Sequence, residues 1–189
     1  MTALAGENIA FIGLGLMGRP MALNLEKAGA ILTVNTRNPE TLNAFDDLGV
    51  ATAPTPADAA ANADIVIICV ANTEALENVL LGEDGVIDGM EEGTIVVDMG
   101  TTAIDATRRF ADAVEEAGGH WIDAPVSGGT HGAENGTLTI MVGAEEEDFQ
   151  RVQRVFGVLG SRVTHVGEIG SGQIAKAANQ MIVGITIGA

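Results

Sequence analysis

A glycine-rich turn near the start of the chain restricts its fold more than any other feature. In FIGLGLMGRP, residues 11–20, three glycines have the spacing G-x-G-x-x-G between an apolar run typical of a strand and an amphipathic run typical of a helix. A glycine turn in this setting brings a phosphate to the free N–H groups of a helix N-terminus, whereas an ordinary βα turn would use glycine only for steric reasons. We predict the first alternative, a dinucleotide pyrophosphate site. Its predicted residues are Gly13, Leu14, Gly15, Leu16, Met17 and Gly18.

Short apolar runs alternate with longer amphipathic runs along most of the chain. The predicted strands are residues 8–12, 31–35, 50–52, 64–70, 94–98, 119–123, 138–143 and 162–165. The predicted helices are residues 16–28, 39–48, 56–61, 73–81, 102–117, 145–159 and a last one from residue 171, and residues 124–136 are predicted to form a loop. Strands that alternate with helices of these lengths form parallel βαβ units. The expected fold is an α/β, Rossmann-type, doubly wound and mostly parallel sheet.

The balance of charges limits the partners that the chain can have. Nine basic and 26 acidic residues among 189 give a formal net charge of −17, which repels nucleic acids and anionic membrane surfaces. The chain has one cysteine and no apolar run of the roughly 20 residues that a membrane helix needs. We therefore predict a cytoplasmic protein that binds neither nucleic acid nor membrane.

The segment after the second predicted strand distinguishes between two cofactors. NAD sites usually place an acidic residue there to accept hydrogen bonds from the ribose 2′-hydroxyl. In TVNTRNPE, residues 33–40, the strand is followed instead by Thr36, Arg37 and Asn38. A guanidinium group suits a 2′-phosphate, although a solvated loop arginine needs no ligand. The sequence therefore favours NADP, with NAD as a possible alternative.

A second glycine-rich segment, DAPVSGG at residues 123–129, follows the end of a predicted strand. It contains Ser127, Gly128 and Gly129. Backbone of this kind presents several N–H groups to an anion such as a substrate carboxylate. A simple glycine turn explains the segment equally well, so both interpretations stay open.

Lys176 and Asn179 lie three residues apart in the last predicted helix, and therefore on one helical face. The lysine is flanked by apolar residues in QIAKAAN, and desolvation lowers the pKa of a lysine toward general acid–base use. Such an ammonium group can protonate a carbonyl oxygen, and the neutral amine can take the proton back. Asn179 would orient the same oxygen or the lysine. A surface lysine with a buried stem is the alternative.

The end of this helix is apolar on almost every face. A helix of this kind must be covered on all sides. Its apolar end is MIVGITIGA, residues 181–189, and these are the last residues of the given sequence. We expect the start of a long interdomain helix that a further domain or a second subunit covers, so that the protein is a homo-oligomer. A C-terminal core helix is the alternative. The predicted division is a dinucleotide-binding domain at residues 1–168 and the start of the interdomain helix at residues 169–189.

Three motifs in the same order resemble the β-hydroxyacid dehydrogenase family, over essentially the whole chain. FIGLGLMGRPMALNL resembles the family's cofactor signature, DAPVSGGTHGAENGTL its substrate loop and GSGQIAKAANQ its catalytic helix. The resemblance implies reversible, NAD(P)-dependent oxidation of a short β-hydroxy acid to its semialdehyde. The family's Asn-Arg-Thr or Asn-Arg-Ser segment is associated with NADP, and this chain keeps the arginine in Thr36-Arg37-Asn38.

The resemblance also implies roles for individual residues. Lys176 falls on the family's catalytic lysine and Asn179 on its substrate-orienting asparagine. The implied carboxylate-binding segment is Ser127, Gly128 and Gly129, and the implied nicotinamide-side residues are Val70, Ala71 and Thr101.

Family members are expected to carry a further all-helical domain that closes the substrate cleft and forms dimers or tetramers. The 189-residue sequence stops within the helix that joins the two domains. We therefore expect this form to bind NADPH weakly or moderately and to reduce substrate poorly, if at all. The alternative function is a truncated, non-catalytic NADP-binding module that associates through its C-terminal helix.

Overall fold

The computed structural model describes residues 3–188, with side chains described up to residue 186. The strands are β1 (Asn8–Ile12), β2 (Ile31–Asn35), β3 (Ala51–Thr52), β4 (Ile65–Ile68), β5 (Ile95–Asp98), β6 (His120–Asp123), β7 (Val126–Ser127), β8 (Leu138–Gly143) and β9 (Gly160–Gly167). The α-helices are α1 (Gly18–Lys27), α2 (Pro56–Ala60), α3 (Thr73–Leu81), α4 (Val86–Gly89), α5 (Ile104–Glu116), α6 (Gly129–Asn135), α7 (Glu146–Leu159) and α8 (Ser171–Gly188). A 3₁₀ helix spans Pro39–Phe45.

All nine described strands belong to one sheet. Its order is β3-β2-β1-β4-β5-β6-β8-β7, and β9 pairs with β8 outside this path. The strands from β3 to β6 in this order pair in parallel, whereas β8 runs antiparallel to β6 and β7. The chain reverses its winding direction between β1 and β4, and in such sheets ligands bind at the carboxyl ends of the strands at this point.

The two faces of the sheet are covered by separate apolar layers. Successive side chains of a strand point to opposite faces, so Phe11 packs in one layer and Ile12 in the other. The Phe11 layer includes Met21 of α1 and Phe156 of α7, and the Ile12 layer includes Phe110 of α5. The predicted doubly wound, mostly parallel α/β fold is therefore confirmed.

Three local predictions differ from the structure. Residues 39–48 were predicted to be an α-helix and instead contain the 3₁₀ helix, and α4 was not predicted. The predicted loop at 124–136 contains β7 and α6. The sequence of α6, GTHGAEN, has no apolar stripe that would predict a helix. Tertiary contacts stabilise it instead, since Gly132 and Ala133 are buried and Asn24 Nδ2 donates to the Ala133 carbonyl at 2.8 Å.

The helix α8 begins at Ser171, as predicted, and carries an exposed apolar face. Met181 and Ile182 are each 65% exposed and Ile185 is 74% exposed. No helix in residues 3–188 combines the length and the apolar character that crossing a membrane requires. The predicted division at residue 168 stays a prediction, and Ala189 lies outside the described residues.

Candidate active site

The glycine turn connects β1 to α1, and its three glycines differ in what they allow. Gly13 has φ +97°, and a Cβ there would overlap the Cys69 carbonyl oxygen. A Cβ on Gly18 would overlap the Gly13 carbonyl oxygen. At Gly15, by contrast, a Cβ would meet no protein atom within 4 Å. Packing of the chain therefore explains two of the glycines, and the third keeps a space clear in front of the turn.

The N-terminus of α1 has an unused capacity to bind an anion. Its N-cap residue, Met17, makes no side-chain capping hydrogen bond, and the first turn of α1 carries no acidic residue. The first N–H groups of a helix lack intrahelical acceptors and lie at the positive end of the helix dipole. Together with the space at Gly15, this arrangement fits a pyrophosphate.

A first cleft of about 250 Å³ lies at the carboxyl ends of β1, β2 and β4. It is lined by Ile12, Gly13, Leu14, Gly15, Asn35, Thr36, Arg37, Asn38, Thr41, Cys69, Val70, Ala71 and Val79. Arg37 is the only charged residue of this lining, which lies wholly within the described part of the chain. Arg37 is exposed, and a guanidinium group can form charge-assisted hydrogen bonds with phosphate oxygens.

The neighbours of Arg37 have structural roles as well. The Thr36 hydroxyl accepts a hydrogen bond from the Asn38 N–H at 3.3 Å. The Asn38 side-chain oxygen caps the 3₁₀ helix by accepting from the Glu40 N–H at 3.2 Å. These bonds stabilise the turn after β2, in which Arg37 lines the first cleft.

A second cleft of about 360 Å³ adjoins the first and shares Cys69, Val70 and Ala71 with it. Its full lining is Met17, Cys69, Val70, Ala71, Met99, Gly100, Thr101, Val126, Ser127, Gly128, Gly129, Lys176 and Gln180. Lys176 is the only charged residue of this set. Each cleft therefore has one cationic side chain and no carboxylate in its lining.

Lys176 lies on α8 with only 8% of its surface exposed. Its Nζ donates to the Val126 carbonyl oxygen at 2.8 Å and to Gln180 Oε1 at 3.2 Å. Burial disfavours the charged form and lowers the pKa of Lys176 below the ordinary lysine value. An ammonium group has three donors, so one stays available for a ligand in the cleft.

The segment Ser127–Gly129 lines the second cleft together with Lys176. Gly128 has φ +132° and is the N-cap of α6, where it makes no side-chain capping bond. The N–H groups of the first helical turn therefore have no intrahelical acceptor. Gly129, the first residue of α6, lines the same cleft as Lys176, so an oxyanion placed there would lie near the amine and the N-terminus of this helix.

Three predicted site residues line neither cleft. Leu16 is 80% exposed, Gly18 is buried at the start of α1, and Asn179 is half-buried on α8. The Nδ2 atom of Asn179 is buried and has no hydrogen-bond partner among the described residues. A buried amide donor without a partner is energetically costly.

Cys69 lies where the two clefts meet. Burial, with a smaller contribution from the nearby Asp98 carboxylate, raises the pKa of its thiol to about 12. The thiol therefore favours its protonated form near neutral pH, which disfavours a nucleophilic role because the thiolate is the reactive form.

Three buried polar side chains were not assigned to the site from the sequence: Asp98, Asp123 and Gln173. Burial raises the pKa of Asp98 to about 6, against hydrogen bonds from Thr102 Oγ1 at 2.6 Å and the Gly100 N–H at 2.8 Å. Both aspartates are the last residues of buried strands, IVVD and HWID. An acidic residue at the end of a buried strand is the sequence signal that could have indicated a buried carboxylate near the site. Gln180 was also missed, although it lies four residues after Lys176 and therefore on the same face.

Asp123 anchors the start of α8. Its carboxylate accepts from the Gly170 N–H at 2.6 Å and from the Gln173 N–H at 2.9 Å. Burial raises the pKa of Asp123, and these backbone donors oppose that effect. A carboxylate at a helix N-terminus also interacts favourably with the helix dipole, so the position of α8 against β6 is well defined.

The winding of the sheet, the glycine turn and the two clefts at the switch point define a dinucleotide-binding Rossmann domain. Residues 8–167 match the family described as the NAD binding domain of 6-phosphogluconate dehydrogenase, and the chain belongs to this family. Its relatives are named dehydrogenases and reductases of the β-hydroxyacid class, as the resemblance implied.

The 2-hydroxy-3-oxopropionate reductase of Escherichia coli (strain K12) is 45% identical over 179 residues, which cover 95% of this chain and 61% of the relative. The structure of 3-hydroxyisobutyrate dehydrogenase from Mycobacterium tuberculosis with L-serine superposes with a TM-score of 0.89 at 33% identity, covering 94% of this chain and 60% of that one. Psf3 in complex with NADP+ and 2-OPP gives a TM-score of 0.86 at 30% identity, covering 90% and 61%. The chain thus spans less than two thirds of each of these proteins.

Proposed function

We propose that the chain is the cofactor domain and lysine-bearing helix of an NADP-dependent oxidoreductase that interconverts a small β-hydroxy acid and its semialdehyde. The observation that carries this proposal is the pair of adjoining clefts, each with a single cationic side chain, Arg37 in one and Lys176 in the other. A ligand that fits this pair has a phosphate at one end and a reacting centre beside a carboxylate at the other.

The residues fit the cofactor in three places. The backbone of residues 13–18 would hold the pyrophosphate, since α1 has no side-chain cap and Gly15 leaves open space. Thr36, Arg37 and Asn38 would hold the adenosine ribose and its phosphate, while Val70, Ala71 and Thr101 would contact the nicotinamide end. When bound, the nicotinamide ring supplies or accepts the hydride.

A substrate carboxylate would bind to the N–H groups at Ser127, Gly128 and Gly129. This placement puts the adjacent carbon chain in the same cleft as the Lys176 amine. The cleft is small and its anion-binding groups are few, which favours a short hydroxy acid such as those named for the relatives.

Lys176 would move the proton that the reaction requires. In the reducing direction its ammonium group donates a proton to the carbonyl oxygen as that oxygen becomes a hydroxyl. In the oxidising direction the neutral amine accepts the same proton. The lowered pKa of Lys176 makes the neutral form more accessible than in an ordinary lysine. For Asn179 we propose the substrate-orienting role that the resemblance implies. Because Asn179 lines neither cleft and its Nδ2 is buried, this role requires its side chain to turn toward the second cleft when substrate binds.

Replacement of Arg37 tests the choice of cofactor. We expect Arg37→Ala to weaken NADPH binding by about 10- to 100-fold, the loss of one or two charge-assisted hydrogen bonds, and to leave NADH binding almost unchanged. The measurement is calorimetric titration of both nucleotides. Arg162→Ala is the matched control, because it removes the same charge from an exposed position outside the clefts. Equal losses for NADPH and NADH would refute the assignment of Arg37 to the 2′-phosphate.

The exposed apolar face of α8 supports a second candidate, an NADP-binding module that acts by association with another subunit. In either case we propose a homo-oligomer formed through α8 in a reducing cytoplasm, which suits the free Cys69.

Consumption of NADPH with tartronate, methylmalonate and succinic semialdehydes and glyoxylate distinguishes the two candidates. Turnover with at least one of these aldehydes supports the oxidoreductase. Tight NADPH binding without turnover of any of them supports the binding module.

A further inference from the structure

We propose that Gln173 is a positioning residue that ties the Lys176 helix to the loop after β5, so that the amine and the nicotinamide-side wall of the cleft keep a fixed separation. This inference rests on the proposed function, because it gives Lys176 its role. It goes beyond that function by assigning a task to a side chain that lines neither cleft.

The side chain of Gln173 is only 2% exposed. Its hydrogen bonds all join it to residues 98–102, at the end of β5 and in the loop that follows. Its Oε1 accepts from the Thr102 N–H at 3.1 Å. Its Nε2 donates to the Gly100 carbonyl at 3.1 Å and to Asp98 Oδ2 at 3.3 Å. Gln173 therefore holds the loop on both sides of Thr101, a residue that lines the second cleft with Lys176.

The backbone of Gln173 is fixed at the same time. Its N–H donates to Asp123 Oδ2 at 2.9 Å, at the end of the neighbouring strand. A single residue thus connects α8 to the carboxyl ends of β5 and β6. Lys176 follows three residues later, one helical turn along and on the same face. Any movement of the first turn of α8 away from the sheet would carry the amine with it.

The buried environment of Lys176 depends on this docking. Its pKa is lowered by desolvation alone, and the Val126 carbonyl and Gln180 are its hydrogen-bond partners. Loss of the Gln173 contacts leaves the Thr102 N–H and the Asp98 carboxylate without one partner each, which favours water entering between α8 and the loop. Water at that place would rehydrate the amine and return its pKa toward the ordinary value.

The test is the titration of Lys176 by ¹³C NMR in protein labelled at lysine Cε, without cofactor or substrate. The chain has only two lysines, so the spectrum has two signals, and Lys27→Arg assigns them. We expect Gln173→Met to move the Lys176 midpoint upward, whereas Gln153→Met, an exposed position on α7, leaves it unchanged. In the same variant we expect kcat for NADPH consumption to fall by about tenfold or more, with NADPH affinity within about twofold of wild type.

An unchanged Lys176 midpoint in folded Gln173→Met protein would overturn the inference. If that variant does not fold, Gln173→Asn decides, because it keeps an amide but is too short to reach both Gly100 and Thr102. The titration needs no turnover, so it remains decisive if the wild type fails to consume NADPH, a result that would count against the proposed function alone.

Discussion

Lys176→Ala is expected to lower kcat for NADPH-dependent reduction of a semialdehyde by about 10²- to 10⁴-fold, the contribution of a positioned general acid. Lys176 lines the second cleft and not the first, where the pyrophosphate and the adenosine phosphate are proposed to bind, so the affinity for NADPH should stay within a few fold of wild type. Steady-state kinetics and nucleotide titration on the same preparation measure both quantities. Unchanged kcat in the variant would show that another group carries the proton.

The pH dependence provides an independent check on the same residue. Reduction needs the protonated amine, so its rate should fall as the pH rises through the pKa of Lys176. Oxidation needs the neutral amine and should rise over the same interval. Both midpoints should lie below the ordinary lysine value, because burial lowers this pKa. Lys176→Arg keeps the charge but cannot release a proton near neutral pH, so oxidation should be lost throughout.

Gly15→Val is expected to abolish nucleotide binding while leaving the fold intact. A Cβ at Gly15 meets no protein atom within 4 Å, and the residue lines the first cleft. The valine side chain would occupy the space proposed for the pyrophosphate. We expect NADPH affinity to fall by at least about 100-fold, or about 2.7 kcal/mol, in a calorimetric titration.

Gly157→Val is the matched control for this substitution. Gly157 lies on α7, and a Cβ there also meets no protein atom within 4 Å, but the residue lines neither nucleotide cleft. Both variants should unfold at temperatures close to that of the wild type, and only Gly15→Val should lose NADPH. Gly18→Ala should behave differently and destabilise the fold, since its Cβ would overlap the Gly13 carbonyl oxygen. Retained NADPH affinity in Gly15→Val would contradict the assignment of the turn.

The sheet was predictable because its buried strands are short apolar runs between turn residues. The bounds of β1, β2 and β8 agree with the predicted segments to the residue. The helix α6 was not predictable in this way. Its glycine-rich sequence disfavours a helix, and contacts with α1 and β8 stabilise it.

Site residues could be predicted where their neighbours along the chain indicate their chemistry. Arg37 follows a strand end, and Lys176 lies in an apolar helical segment. Gln173 had no such setting, because its partner Asp98 lies 75 residues earlier in the chain. A hydrogen bond over that separation depends on the order of the strands, which brings the end of β5 to the start of α8.

Transfer of deuterium from NADPH labelled at C4 of the nicotinamide tests the proposed function most directly. Samples labelled at each of the two C4 positions are incubated with wild-type protein and each semialdehyde, and the hydroxy acid is analysed by mass spectrometry. We predict a product with one deuterium from one of the two labelled forms, and none above background with Lys176→Ala over the same time. Tight binding of NADPH with no deuterium in any product would contradict the proposal and favour the binding module.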